Sequence, residues 1–253
     1  MSEDLWWRGA ELVSDLPSEY VVIDTETTGL GKKDKVIEVA LARVKDGHIV
    51  DRFVRLINPQ GRKIHPRAAE VNGFSDESVS HVREPAKHVK DLEGWAGLGL
   101  PWLAWNARFD KRLMQQTFGT LGTHNWIDSV QWVCVAEIFR ARNGSLPRQT
   151  EAATKLHVVL EGNNVRAHNA YGDVLLLKGI VEAMRREDVL ARAPTTLALG
   201  MQDVAALIIA RDTFRDRMVE AIAAQRAAQR AEGRAYGFGI AAACLLILVE
   251  YFL

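Results

Sequence analysis

The segment Val21-Val22-Ile23-Asp24-Thr25-Glu26-Thr27-Thr28-Gly29-Leu30 decides the fold, because an apolar, β-branched run ends there in two acids spaced two residues apart. The apolar run predicts a buried β-strand. Side chains alternate between the faces of a strand, so we expect Asp24 and Glu26 on one face, close enough to share a divalent cation. Gly29 permits a sharp turn out of the strand. Taken alone, the segment is equally compatible with a strand that ends in solvated acids.

Two further acids stand at the beginnings of predicted helices. The short apolar stretch at 101–106 predicts a second buried strand, and the helix that follows it places Asp110 in its first turn. Asp173 precedes a strongly apolar, helix-length segment for which Asn169 is the expected N-cap. His168 lies five residues before Asp173, so we expect it on the loop before that helix and not on the same helical face.

Three short motifs follow one another along the chain: Asp24 to Leu30, Asn106 to Asp110, and His168 to Asp173. Together they resemble the DEDD exonuclease superfamily, specifically the DEDDh branch that includes polymerase proofreading subunits. The resemblance covers Ser18 to Arg186 and implies a ribonuclease H-like fold, an α/β mixed sheet flanked by helices. Softer matches are His65 to Glu77, expected after the third strand, and Ile127 to Ser129, expected as the fifth strand entering a helix.

The chain departs from the family's usual residues at two places. Trp105 and Asn72 stand where relatives usually carry histidine. Neither position is a metal ligand in the family, so we expect these departures to affect substrate preference more than chemistry.

The resemblance also implies roles for the acids in phosphodiester hydrolysis with two divalent cations, Mg²⁺ or Mn²⁺. Asp24 would bridge both ions. Glu26 and Asp173 would complete the site of one ion, and Asp110 would hold the other largely through water. His168 would be the general base, since an imidazole with an ordinary pKa of about 6.5 can accept a proton near neutral pH. The implied reaction releases nucleoside monophosphates from a 3′ end.

The family resemblance further implies contacts to the terminal nucleotide from one set of residues: Thr27, Thr28, Gly29, Leu30, Asn106 and Phe109. Leu30 would pack against the terminal base, or alternatively belong to the core. Single-stranded DNA is the expected substrate, and an RNA-trimming exoribonuclease is the alternative, because 2′-hydroxyl discrimination depends on pocket shape. A catalytically silent binder of nucleic-acid ends, or a membrane scaffold, is a further alternative. Such a protein has no physical need for converging acids, whose repulsion destabilises a metal-free site.

Composition places few limits on the partner. Lys and Arg total 32 and Asp and Glu total 32, so no overall basic field indicates nucleic acid. An exonuclease grips only a few phosphates at one end, and neutrality is compatible with that. Cys134 and Cys244 lack zinc-ligand spacing and are predicted to be free, buried thiols in a reducing compartment. We find no polymerase segment, so a polymerase or other replication or repair partner would be a separate polypeptide.

The chain divides by composition into an N-terminal extension at 1–17, the exonuclease domain at 18–186, a helical linker at 187–235 and an apolar segment at 236–253. Within the domain, successive strands are predicted at 20–25, 36–44 and 49–57, with a helix at 85–95.

The apolar segment 236–253 predicts a C-terminal membrane anchor. As a helix it would be about 27 Å long at a rise of about 1.5 Å per residue, close to a hydrocarbon core of about 30 Å. Its one charged residue is Glu250, near the end, and Arg226, Arg230 and Arg234 precede it. Arginines on that side favour a cytoplasmic-facing enzyme that contacts the membrane through this transmembrane helix. The alternative is an apolar helix buried in an oligomer or against the nuclease domain.

Overall fold

The computed structural model describes residues 13–121, 126–158 and 169–192. Five strands form one sheet in the order β3-β2-β1-β4-β5. They are β1 (Glu19–Thr27), β2 (Val36–Lys45), β3 (His48–Leu56), β4 (Trp102–Ala104) and β5 (Trp132–Cys134). Strands β1, β2 and β3 pair antiparallel, whereas β1, β4 and β5 pair parallel. The sheet is therefore mixed, as the sequence predicted.

Helices connect and cover the strands. They are α1 (Pro66–Asn72), α2 (Asp76–Ser80), α3 (Val89–Ala96), α4 (Ala107–Phe118), α5 (Trp126–Ser129), α6 (Val135–Asn143), α7 (Gln149–Lys155) and α8 (Ala170–Arg192). Short 3-10 turns cover Val13–Asp15 and Pro85–Lys87. Residues 1–189 form one compact unit and residues 190–253 a second. All these elements lie in the first unit apart from the C-terminal end of α8.

Two sequence predictions of local structure are wrong in detail. The helix expected at 85–95 is interrupted, because a 3-10 turn at Pro85–Lys87 ends at His88 and α3 begins only at Val89. The segment Ile127 to Ser129 is a helical turn and not the fifth strand. The Trp132 indole N–H donates to the Ile127 carbonyl at 3.0 Å, and the strand itself starts at Trp132. The apolarity of Ile127 therefore reflects burial under the sheet.

The alternation along β1 divides the core into two layers. Val21 and Ile23 pack with α3, α4 and α5 on one face of the sheet, and Tyr20 and Val22 pack with α6, α7 and α8 on the other. Continuing the same alternation places Asp24 and Glu26 on the α8 side, at the end of the strand. The carboxyl ends of β1 and β4 lie at the same edge of the sheet because these strands are parallel.

Several predictions fall outside the described residues: His168, Cys244, the linker beyond residue 192 and the apolar segment 236–253. Cys134, which is described, is free and buried as expected. In the part of the chain that the structure describes, no helix has the length and apolarity needed to span a membrane.

Candidate metal centre

Three of the predicted acids converge at the end of β1. Asp24, Glu26 and Asp173 each offer a carboxylate oxygen, and these oxygens lie within 4.8 Å of one another. Asp24 and Glu26 are brought together by the strand's alternation, and Asp173 comes from the first turn of α8. Carboxylate oxygens at this spacing are suited to a hard divalent cation such as Mg²⁺ or Mn²⁺.

The start of α8 is fixed by Asn169, which confirms the predicted N-cap. Its Oδ1 accepts from the Gly172 N–H at 2.7 Å, and its carbonyl accepts from the Asp173 N–H at 3.1 Å. A second contact comes from Gln149, whose Nε2 donates to the Asp173 carbonyl at 2.7 Å. The backbone that carries Asp173 is therefore held from α7 as well as by its own cap.

Asp110 lies in the first turn of α4, as predicted, and is only 4% exposed. The Thr25 hydroxyl donates to its Oδ1 at 2.8 Å, so β1 fixes this acid from the strand face opposite to Asp24. Among the described residues, the cluster of mutually close ligand oxygens does not include Asp110. It is nevertheless near enough to raise the pKa of Asp24.

The acids of the centre lie close together and are largely shielded from water, and both conditions raise their pKa values. Burial raises the pKa of Asp24 well above its usual range, and the charges of Asp110 and Asp173 raise it further. Burial and the charges of Asp173 and Glu38 raise the pKa of Glu26 to about 7. Burial also raises the pKa of Asp110 to about 7, against the hydrogen bond from Thr25. A bound cation would relieve this repulsion.

Sequence reasoning missed Glu38, a further acid at the centre. It lies opposite Glu26 in the β1–β2 register, and its Oε2 accepts from the Ala170 N–H at 3.0 Å, the first residue of α8. Burial raises the pKa of its carboxyl group. The available signal was a single acid inside the otherwise apolar run from Val36 to Ala42.

Asn72, one of the two departures from the family pattern, borders the centre. Its Nδ2 donates to the Thr27 carbonyl at 3.2 Å, and its Oδ1 accepts from the Phe74 N–H at 3.1 Å. Its side chain also lowers the pKa of Glu26 by hydrogen bonding, against the effect of burial. This position therefore touches both the metal-site acid Glu26 and the last residue of β1.

The predicted nucleotide-contact residues differ in exposure. Leu30 is 78% exposed, so the alternative that it belongs to the core is wrong. Thr27 and Thr28 are buried, and their hydroxyls donate to the Gly29 carbonyl at 2.9 Å and to Asp34 Oδ1 at 3.0 Å. The Thr27 and Thr28 side chains thus support the loop.

Two further predicted contact residues lie at the start of α4. Asn106 is exposed there, and Phe109 is partly buried. The Arg112 guanidinium lies 5.5 Å from the centre of the Phe109 ring. Their contacts to nucleic acid stay predictions.

The RNase_T family model, described as exonuclease, matches residues 21–181. DNA polymerase III PolC-type of Staphylococcus saprophyticus subsp. saprophyticus is 33% identical over 117 residues, which cover 44% of this chain and 8% of that protein. The corresponding protein of Oceanobacillus iheyensis is 37% identical over 100 residues, which cover 39% and 7%. The matched part thus spans less than a tenth of these relatives' length.

Two solved structures share the fold. Exonuclease X in complex with 5′ overhanging duplex DNA has a TM-score of 0.53 and 21% identity, covering 66% of this chain and 92% of that one. E. coli Exonuclease I in complex with a dA16 oligonucleotide has a TM-score of 0.53 and 17% identity, covering 73% and 45%. At these identities the likeness concerns the fold alone.

Proposed function

This chain belongs to the RNase_T exonuclease family, and from that premise we propose that it is a metal-dependent 3′-to-5′ exonuclease acting on single-stranded DNA. The observation that carries the proposal is the convergence of Asp24, Glu26 and Asp173, with ligand oxygens within 4.8 Å of one another. Family membership explains why acids that repel one another are held together, since exonucleases of this kind use divalent metal ions.

The proposed metal ligands are Asp24, Glu26, Asp110 and Asp173. Two divalent cations, Mg²⁺ or Mn²⁺, would supply charge neutralisation at the phosphate and activation of the attacking water. The chain's own contribution is to preorganise the acids: β1 sets Asp24 and Glu26, Thr25 holds Asp110, and the Asn169 cap holds Asp173. Preorganised groups need no rearrangement when charge develops in the transition state.

We assign proton removal from the attacking water to His168. In the sequence it directly precedes Asn169, the N-cap of α8, the helix that carries Asp173. An imidazole is suited to this role because its ordinary pKa of about 6.5 lies near neutral pH. His168 itself lies outside the described residues.

Single-stranded DNA is the substrate we favour. The proteins that this chain resembles include a DNA polymerase III and exonucleases solved with DNA. The exposed side chain of Leu30 stands on the loop after β1. Leu30 and Phe109 offer apolar contacts to a terminal nucleotide, and Asn106 offers a hydrogen bond. An unpaired base can use both, since its face stacks and its edge forms hydrogen bonds. RNA is the competing substrate.

The test is digestion of 5′-labelled single-stranded DNA and RNA of the same sequence by the full-length protein, with Mg²⁺, with Mn²⁺ and with chelator. A ladder that shortens from the 3′ end, requires metal and is faster on DNA is expected. Asp24→Asn should abolish it, and Asp91→Asn is the matched acid-to-amide control, because Asp91 is exposed on α3, on the face of the sheet opposite to Asp24. Faster digestion of RNA than of DNA would identify RNA as the preferred substrate. Intact oligonucleotides in every condition would favour a silent nucleic-acid-end binder.

We also propose that the segment 236–253 anchors the enzyme in a membrane with the nuclease on the cytoplasmic side. Support comes from the sequence alone: the segment is apolar, has a single charged residue near its end and follows a basic stretch. It lies outside the described residues.

A further inference from the structure

The loop that connects β1 to β2, Thr28 to Lys35, is closed and anchored although it lies at the surface. We refer to these residues as the presenting loop. Its two ends pair, since the Thr28 N–H donates to the Lys35 carbonyl at 2.9 Å and the Lys35 N–H donates to the Thr28 hydroxyl at 3.0 Å. Leu30 stands 78% exposed on this loop, whereas Asp34, four residues later, is only 5% exposed.

The Asp34 carboxylate is the internal anchor of the presenting loop. It accepts from the Thr28 hydroxyl at 3.0 Å, from the Gly31 N–H at 2.6 Å and from Arg62 Nε at 2.9 Å. The first two donors flank Leu30 in the chain, and the third comes from the segment after β3. Burial alone would raise the pKa of Asp34, but these hydrogen bonds lower it below the ordinary value, so the group is ionised at neutral pH.

We propose that Asp34 is a positioning residue for nucleic acid, which fixes the presenting loop so that Leu30 meets the terminal nucleotide in one place. This inference rests on the proposed exonuclease function. Asp34 does not belong to the described cluster of metal-site oxygens, and its own oxygens are occupied by Thr28, Gly31 and Arg62. It therefore acts through Leu30 and not on the phosphate.

Backbone geometry at Gly29 supports this role. A Cβ atom at this position would lie 2.7 Å from Asp34 Oδ2, closer than real Cβ atoms approach any heavy atom. The chain therefore passes directly against the carboxylate immediately before Leu30. The direction in which the loop leaves β1 depends on Asp34 and Gly29 together.

Helix α4 connects the presenting loop to one of the proposed metal ligands, Asp110. Arg112 donates to the carbonyls of Leu30 and Gly31 at 3.2 Å each. Gln116 Nε2 donates to the Asp34 carbonyl at 2.7 Å. The same helix carries Asp110 in its first turn. A shift of Leu30 relative to Asp110 would therefore break several hydrogen bonds, which keeps the presenting loop in register with the metal centre.

A change in KM with little change in kcat distinguishes a positioning role of Asp34 from a catalytic one. Asp24 and Glu26 are held by the β1–β2 ladder, in which they pair with Ala40 and Glu38, and this ladder does not involve Asp34. Asp34→Ala should therefore leave Asp24 and Glu26 in place while Leu30 loses its fixed position. We expect KM for single-stranded DNA to rise about tenfold, with kcat within about twofold of the parent, since uniform binding is what is lost.

The experiment is a double-mutant cycle in the full-length protein. If Asp34 acts through Leu30, Asp34→Ala and Leu30→Ala each raise KM, and the double variant is no worse than the poorer single variant. Arg62→Ala should also raise KM, but by less. It replaces Asp34→Ala in the experiment if that variant folds poorly. Lys63→Ala is the matched control for Arg62→Ala, because Lys63 is adjacent and 81% exposed and pairs with Asp76 instead. It should leave KM unchanged.

Two results would overturn the role of Asp34: multiplicative KM effects of Asp34→Ala and Leu30→Ala, or a fall in kcat as large as the fall in kcat/KM. Binding of a 3′-fluorescent oligonucleotide, measured by anisotropy in chelator, keeps the proposal testable if turnover is absent. Binding without turnover in the parent protein counts against the proposed function alone. If the parent binds and Asp34→Ala, Leu30→Ala and the double variant show additive losses of binding free energy, the positioning role fails.

Discussion

Replacing Glu26 with glutamine should make the metal-free protein more stable at alkaline pH and less sensitive to pH. The pKa of Glu26 is raised from 4.5 to about 7, chiefly by burial and then by the charges of Asp173 and Glu38. A carboxyl group whose pKa is raised on folding binds its proton more tightly in the folded state. Its contribution to stability is therefore fully present below pH of about 4.5 and is lost as the pH rises through about 7.

The size of this loss follows from the pKa shift. A rise from 4.5 to about 7 corresponds to about 3 kcal/mol at about 1.4 kcal/mol per unit. Glu26 is only partly buried, and water and salt screen part of the interaction, so we expect about 1–3 kcal/mol in the measurement. This is a large share of the stability of a domain, which is about 5–15 kcal/mol in total.

The assay is urea unfolding in chelator at pH 5 and pH 8, followed by tryptophan fluorescence. Fluorescence reports on the exonuclease domain because Trp102, Trp126 and Trp132 lie in its core. Comparing the change in unfolding free energy between the two pH values in parent and Glu26→Gln cancels the groups that both proteins share. Asp91→Asn, on the far side of the sheet, is the control for a change of one charge.

The expected effect of Glu26 is refuted if parent and Glu26→Gln lose the same free energy of unfolding between pH 5 and pH 8. It is also refuted if Mg²⁺ at saturating concentration leaves the parent's unfolding midpoint at pH 8 unchanged. Free ligand at a hundred times its Kd stabilises by about 2.7 kcal/mol, which this assay resolves easily. Glu26→Gln should gain much less from Mg²⁺, because it has lost one of the converging ligands.

Three other predictions concern activity and location. Thr25→Val removes the hydrogen bond that lowers the pKa of Asp110, so the acidic limb of the pH–rate profile should move to higher pH; an unmoved limb would show that Asp110 does not limit the rate. Asp173→Asn should abolish hydrolysis while circular dichroism stays that of the parent, whereas retained turnover would exclude it from the metal site. Deleting 236–253 should move the protein from the membrane fraction to the soluble one, and continued membrane association would refute the anchor.

The first three strands and the pair Asp24 and Glu26 could be predicted from sequence because both depend on local patterns. The continuous apolar run, which is buried on both faces of the sheet, predicted β1, and the alternation of side chains along a strand put Asp24 and Glu26 on one face. Asp173 could be assigned to the site only through the family resemblance, because no local sequence pattern predicts that the start of α8 lies beside β1. The His168 assignment has the same origin, and it stays a prediction.

The remaining site residues could not be predicted because their roles depend on partners distant in sequence. Glu38 is one acid in an apolar strand until its register opposite Glu26 and its bond to the Ala170 N–H, 132 residues away, are known. Asp34 likewise reads as a loop residue among lysines, and only the fold shows that it is buried against Thr28 and Arg62.

A single strand explains why acids from two separate layers meet at one place. Odd-numbered positions of β1 face α4, and through the Thr25 hydroxyl this face fixes Asp110. Even-numbered positions face α8, where Asp24 and Glu26 meet Asp173. Both helices begin beside the end of β1, where Asp110 bonds to Thr25 and Asp173 approaches Asp24 and Glu26. The repulsion among these acids is therefore concentrated beside the end of β1, where a cation can neutralise it, while burial of the apolar remainder of β1 stabilises the fold.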